Sequence, residues 1–284
     1  KMAILTASIV ALVISSYSAL ASKLLDCKMQ SIPACTEVIE NGGLDGADLA
    51  KVYYHRAKAY RSYKKFPEAV QDYGKAIAGN SEYTEAYSGR AMTYADLGKY
   101  VEALADHDVV LKLEPEYKWH HHARAQTHAR FEKHKLAIGD FTKAIELHRE
   151  GFEGDLTLSH YGRALSHRAL GNHREAVDDF TAVIVDSFQQ SQFASGNGLA
   201  SQSYRYRGQA QIKLDELQEA IADFTELVEA GYSEEQDFIW RGWAHYRSKN
   251  YDLAVMDYSE ALKISPQKPD TMWRRGLSYY RLKN

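Results

Sequence analysis

Two charged positions recur along this chain. Arginine stands at Arg56, Arg90, Arg124, Arg163, Arg207 and Arg241, with a seventh at Arg275. Aspartate stands at Asp72, Asp106, Asp140, Asp179, Asp223 and Asp257. Repeated carboxylates invite an acid–base reading. The 12 histidines offer a second chemistry, since imidazole binds metals and titrates near pH 6.5 when unperturbed. His120, His121 and His122 in a row look like a metal box. Cys27 and Cys35 are the only thiols, and they do not form a Cys-x2-Cys metal or redox motif. No glycine-rich phosphate loop and no nucleophile elbow is present. The spacing of these residues decides what they do, and the spacing is set by a repeat.

The ruler is the stretch from Ala50 to Pro115, which writes one 34-residue unit twice. Tyr53, Ala57 and Tyr60 form one helical stripe, and Ala69, Tyr73, Ala76 and Ile77 form another. Lys64 and Lys65 make the turn between them. Each unit is therefore two antiparallel helices of about 14 residues, the length that this spacing gives. Units start at Ala50, Thr84, Lys118, Thr157, Ser201, Glu235 and Pro269, at spacings of 34, 34, 39, 44, 34 and 34. Small residues mark the expected helix crossing (Ala69, Ala103, Ala137, Ala176, Ala220, Ala254). An aromatic follows four residues on in five of six cases, with His107 the exception.

Registered this way, the chemistry thins out. An Arg and an Asp that return once per unit belong to the packing of the unit, and they predict an Arg–Asp ladder. His121, His128 and His134 take the places of Tyr53, Tyr60 and Phe66, and His160, His167 and His173 take the same places one unit later. Two readings of that seam stand: packing by another planar ring, or a pH- or metal-responsive seam. No catalytic residue, cofactor or metal ligand set is assigned, and the chain reads as a non-enzyme.

A 34-residue helix-turn-helix period with these small and aromatic positions resembles the tetratricopeptide repeat. The resemblance covers about Ser31 to Asn284. It implies an all-α, right-handed superhelical solenoid of antiparallel helix pairs, with six full repeats and partial units at each end. It also implies a scaffold that binds a peptide or protein segment on a concave face lined by first helices. The residues expected there are Tyr54, Lys58 and Arg61 in the first unit, then Tyr161, Arg168 and Arg205. In the last units they are Trp243, Tyr246, Arg247, Trp273 and Tyr280. The members that grip chaperone tails use Asn and Lys on first helices. Every Asn here lies at a turn, an insertion or the terminus, so that clamp is absent in this form.

Residues 1–21 are apolar with small polar interruptions and end in Ala19-x-Ala21, which reads as a signal peptide. An uncleaved signal anchor, tethering the chain to a membrane, is the alternative. Residues 22–49 then form a capping hairpin. In an exported chain the Cys27 and Cys35 pair reads as a disulfide across that hairpin. Exported chains with an early Cys pair before tandem repeats resemble cell-envelope proteins of Gram-negative bacteria, which implies a periplasmic place. Charge is balanced, at 35 basic against 38 acidic residues, which argues against nucleic acid. Two insertions, near Phe152–Leu156 and Ser191–Ala200, are either extended helix ends or mobile loops, or else rim elements that cover the groove. The last helix is apolar over much of its surface. It either continues into further chain or docks, on an envelope assembly or on a second copy.

Overall fold

The computed structural model describes residues 22–148, 156–189 and 198–283. All regular structure there is helical. Helix α1 covers residues 22–28 and α2 covers Ile32–Asn41. Then come α3 (Gly46–Ser62), α4 (Phe66–Gly79), α5 (Thr84–Asp96), α6 (Tyr100–Leu113) and α7 (Lys118–Arg130). They are followed by α8 (His134–Glu146), α9 (Thr157–Ala169), α10 (His173–Gln189), α11 (Leu199–Lys213) and α12 (Leu217–Glu229). The last are α13 (Glu235–Arg247), α14 (Tyr251–Ile264) and α15 (Pro269–Lys283). The chain forms two compact bodies, residues 1–131 and 132–284. In each, a helix packs mainly on its neighbours in sequence.

The expected leader lies outside the described residues, as does most of each insertion. Among the described residues no helix is long and apolar enough to cross a membrane. Helix α10 runs for 17 residues, against 13 or 14 for the other second helices. Helix α3 begins at Gly46, ahead of the expected unit start at Ala50, so part of the capping region is continuous with the first unit.

The pairing follows from residue size. Ala69, Ala103, Ala137, Ala176, Ala220 and Ala254 are all fully buried, so a second helix can approach closely. The rings four residues on (Tyr73, Phe141, Phe180, Phe224, Tyr258) are at most 1% exposed and fill the space beyond. His107 keeps that role as a planar ring, 1% exposed.

The tight turn inside a unit is made by one left-handed residue: Lys64, Gly98, Glu132, Gly171, Asp215 or Lys249, with φ between 59° and 77°. After Lys64, Gly98, Gly171, Asp215 and Lys249 the next backbone N–H reaches five residues back, as in Lys65 to Tyr60 at 2.8 Å and Asn250 to His245 at 2.9 Å. That bond satisfies a carbonyl the helix end would leave orphaned.

Candidate functional site

In five units the recurring charges meet between the two helices of the unit. Arg163 donates from Nε and Nη2 to Asp179 at 2.8 and 2.7 Å. Arg56 meets Asp72 at 2.6 and 3.0 Å, and Arg90 meets Asp106 at 2.8 Å through both nitrogens. Arg207 holds Asp223 at 2.9 and 2.6 Å, and Arg241 holds Asp257 at 2.6 to 3.1 Å. Arg124 belongs to the first body and Asp140 to the second. Asp72, Asp106, Asp179, Asp223 and Asp257 are buried and each is tied to a two-pronged guanidinium, which leaves them unsuited to moving protons.

The third guanidinium nitrogen reaches back to the preceding unit. Nη1 of Arg56, Arg163, Arg207 and Arg241 donates to Thr36, Thr142, Thr181 and Thr225, at 2.9 to 3.3 Å. In Arg124 the same nitrogen meets Asp108, the residue at the Thr position, at 2.9 Å. The residue that faces Arg90 is Gly74, which has no side chain to offer.

The histidines are mostly built into the packing. His107 Nε2 lies 2.9 Å from Thr127 Oγ1, and His128 Nδ1 lies 2.8 Å from the Tyr100 hydroxyl. His120 Nε2 is 2.8 Å from Glu114, and in the second body His160 Nδ1 is 2.9 Å from Asp179. Burial pushes His122 down to about 4 and lowers His167, so these rings resist taking up charge. Among the described residues no three His, Cys, Asp or Glu side chains are placed to hold one metal ion.

At the chain's start the two sulfurs of Cys27 and Cys35 lie at bonding distance, 2.04 Å. They sit in a small apolar cluster with Val38 and Val52, which fastens α1 and α2 to α3.

The second body carries a concavity walled by its first helices. Two cavities, of about 310 and 430 Å³, share Lys213 and Trp240. Their walls come from first helices: Leu165 and Arg168 on α9, Gln209 and Lys213 on α11, Ile239, Trp240 and Trp243 on α13, Arg274 on α15. His173, the first residue of α10, completes one wall. The rings and cations are arranged together. Arg168 lies over Tyr206 at 4.4 Å, Arg247 lies over Trp243 at 4.9 Å, and Trp240 meets Trp243 edge-on at 6.5 Å. Such contacts fix long cationic side chains without neutralising them. Apolar walls with a few convergent polar groups are what a ligand groove needs.

The sequence itself decides the family. A profile of the tetratricopeptide repeat matches residues 54–117 and 161–235, and a second TPR-repeat profile matches residues 242–283. The chain is built of tetratricopeptide repeats. Solved structures agree on the fold. A tetratricopeptide repeat protein from Parabacteroides merdae superposes with a TM-score of 0.59 at 18% identity, covering 93% of this chain and 99% of that one. YrrB, described as a TPR protein with an unusual peptide-binding site, gives 0.60 at 18%, covering 72% and 97%. PilW, a type IV pilus biogenesis factor, gives 0.60 at 12%, covering 79% and 97%. A search of curated proteins finds no match.

Within these tetratricopeptide repeats the residues named from sequence separate into groups. Arg168 and Trp243 line the groove. Arg205 is bound to Asp237 at 2.7 and 2.8 Å, and Arg61 to Asp96 at 2.9 Å. Arg247 also pairs with Asp215 at 2.8 Å. Tyr54 packs on Tyr73 and Tyr83, with Lys58 over its ring at 5.6 Å. Tyr161 packs edge-on to Phe180 and donates to Gln202. Tyr246 packs on Tyr251. Trp273 and Tyr280 are exposed on α15, at 65% and 62%.

Sequence reasoning missed Trp240, Lys213 and Arg274. A signal existed for two of them. The repeat position that reads His55, Gly89, Ala123, Gly162 becomes Tyr206, Trp240 and Arg274 in the last units. At Gly89 and Gly162 a Cβ would collide with Tyr73 and Phe141. A repeat position that stops being small has stopped serving only the packing.

Proposed function

We propose that this tetratricopeptide-repeat chain is a non-catalytic scaffold whose second body binds a peptide or protein segment. The groove walled by α9, α11, α13 and α15 is the binding surface. The observation that carries this reading is the pair of cavities meeting at Trp240, with Trp243 beside it and unneutralised cations around it. Aromatic and Arg side chains in a preformed concavity are the usual anchors of a recognition hot spot. The likeness to YrrB, described as having a peptide-binding site, supports the same mode. The test is capture from a cell-envelope fraction with wild type, Trp240→Ala, Trp243→Ala and Trp273→Ala, followed by mapping with overlapping peptides. Loss of the captured segment with Trp240→Ala and Trp243→Ala is expected. Retention by both moves the site elsewhere.

A second reading rests on α15, where Met272, Trp273, Tyr279, Tyr280 and Leu282 are each about half exposed or more, at 48–65%. There the chain would dock as a subunit of an envelope assembly or on a second copy. Light scattering of the purified protein decides between self-association and a monomer. We place the protein in an exported compartment, on the apolar N-terminal stretch and the bonded Cys27–Cys35 pair. Thiol trapping of fractionated cells tests this, and reduced, cytosolic protein would overturn it.

A further inference from the structure

We infer that the groove of the second body accepts an acidic segment, in which carboxylates flank an apolar or aromatic anchor. This rests on the groove being the binding surface proposed above. The first argument is composition. The chain as a whole is slightly acidic, at 38 acidic against 35 basic residues. Among the described residues neither cavity has an Asp or Glu in its walls, which instead carry Arg168, His173, Lys213 and Arg274. Among the described residues the walls of this concavity therefore run against the acidic balance of the chain.

The second argument is pairing. On the same helices, Arg163, Arg205, Arg207, Arg241 and Arg247 each hold a carboxylate. Arg168, Lys213 and Arg274 form no ion pair among the described residues. Arg168 is instead steadied by the Tyr206 ring and by a 3.4 Å hydrogen bond to Gln209, so its charge is positioned and still available. His173 adds a buried Nδ1 with no hydrogen-bond partner among the described residues.

The third argument is arrangement. The three cations come from α9, α11 and α15, and Trp240 on α13 lies among them as the shared wall of both cavities. A segment that seats an apolar side chain against Trp240 can place carboxylates near all three. Arg168 and Lys213 are exposed and Arg274 is partly buried, so the lower local dielectric strengthens the pairing at Arg274 most. A nucleic acid fits less well. It needs a basic track that follows a run of phosphates, with rings stacked in series, and the walls supply three cations around one anchor.

The experiment is selection from a displayed random library of about twelve-residue peptides on the full chain, with counter-selection on Trp240→Ala, an anchor variant. Helix content by circular dichroism confirms that each variant is folded. An enriched peptide is then titrated by fluorescence polarisation at low and high salt, against wild type and an Arg168→Gln/Lys213→Gln double variant. Trp240-dependent sequences rich in Asp and Glu are expected, with affinity reduced roughly tenfold by the double variant and weakened by salt. Trp240-dependent sequences that are neutral or basic would overturn the inference and leave the groove reading standing. Enrichment that ignores Trp240 would overturn both. Displacement of the peptide by oligothymidine at similar concentration would replace the peptide with a nucleic acid as partner.

Discussion

Arg207 donates from Nη1 to Thr181 at 2.9 Å, across the boundary between two repeats. Its other two nitrogens are held by Asp223 within the repeat. One side chain therefore ties a helix pair together and ties that pair to its predecessor. The Asp is the anchor of this arrangement, because it fixes the plane from which Nη1 projects.

Asp223→Ala should cost about 3–5 kcal/mol, since it strands the partly buried Arg207 charge. Thr181→Val should cost less, about 1.5–3 kcal/mol, the worth of one hydrogen bond to a charged donor. Urea unfolding followed by circular dichroism measures both. Equal costs would show that the carboxylate is not the anchor.

Two glycines should respond in opposite directions. Gly162→Ala drives a methyl into the Phe141 ring and should destabilise by about 1–3 kcal/mol. Gly139 lies inside α8 with nothing within 4 Å of an added Cβ, so Gly139→Ala should stabilise by about 0.5–1 kcal/mol. Thermal melts of the two variants would show midpoints on either side of wild type.

The first body should lose stability in mild acid. Burial holds His122 at about 4 and also lowers His55, so the unfolded chain takes up these protons first. Stability is full above the unfolded value near pH 6.5 and drains as pH falls towards 4, by at most about 3 kcal/mol for His122. Trp119, whose ring lies 5.4 Å from His122, reports the change by fluorescence. Unfolding midpoints at pH 7.5, 5.5 and 4.5 should fall in that order, and His122→Gln should flatten the decline. An unchanged slope in that variant would assign the acid limb to other groups.

Reduction should loosen the start of the chain. Cys27 and Cys35 are 8 residues apart. A bridge over so short a loop is worth about 2–3 kcal/mol on the chain-entropy account. Cys27→Ser/Cys35→Ser should lower protection of α1 and α2 in hydrogen exchange and leave α11–α14 unaffected. Equal protection with and without the pair would mean the apolar cluster alone holds the cap.

Helix pairs and their boundaries were legible because the same size pattern returns in every unit. Ala69 and Tyr73 mean little alone and a great deal when Ala220 and Phe224 repeat them. The link to Thr was not legible, since Thr142, Thr181 and Thr225 give way to Gly74 and Asp108 at the same position. Arg205 and Arg61 looked available from sequence, and the structure binds both to carboxylates on the next first helix. That pairing joins neighbouring units, and the position of Asp237 or Asp96 in one unit does not reveal it. Trp240 and Arg274 escaped a reading that began from Tyr54, Lys58 and Arg61, because they occupy a position that is small in most earlier units.

The same position bears on the order of the array. Excising the 34 residues from Ser201 would keep the period and hand Thr181 to Arg241. It would also bring Trp240 against Phe180, where Tyr206 now packs at a ring distance of 5.8 Å. The units share a length and a backbone, yet each is cut to its neighbour. Their sequence of succession is thus recorded in the junctions, and a shuffled array would keep its helices and lose its groove.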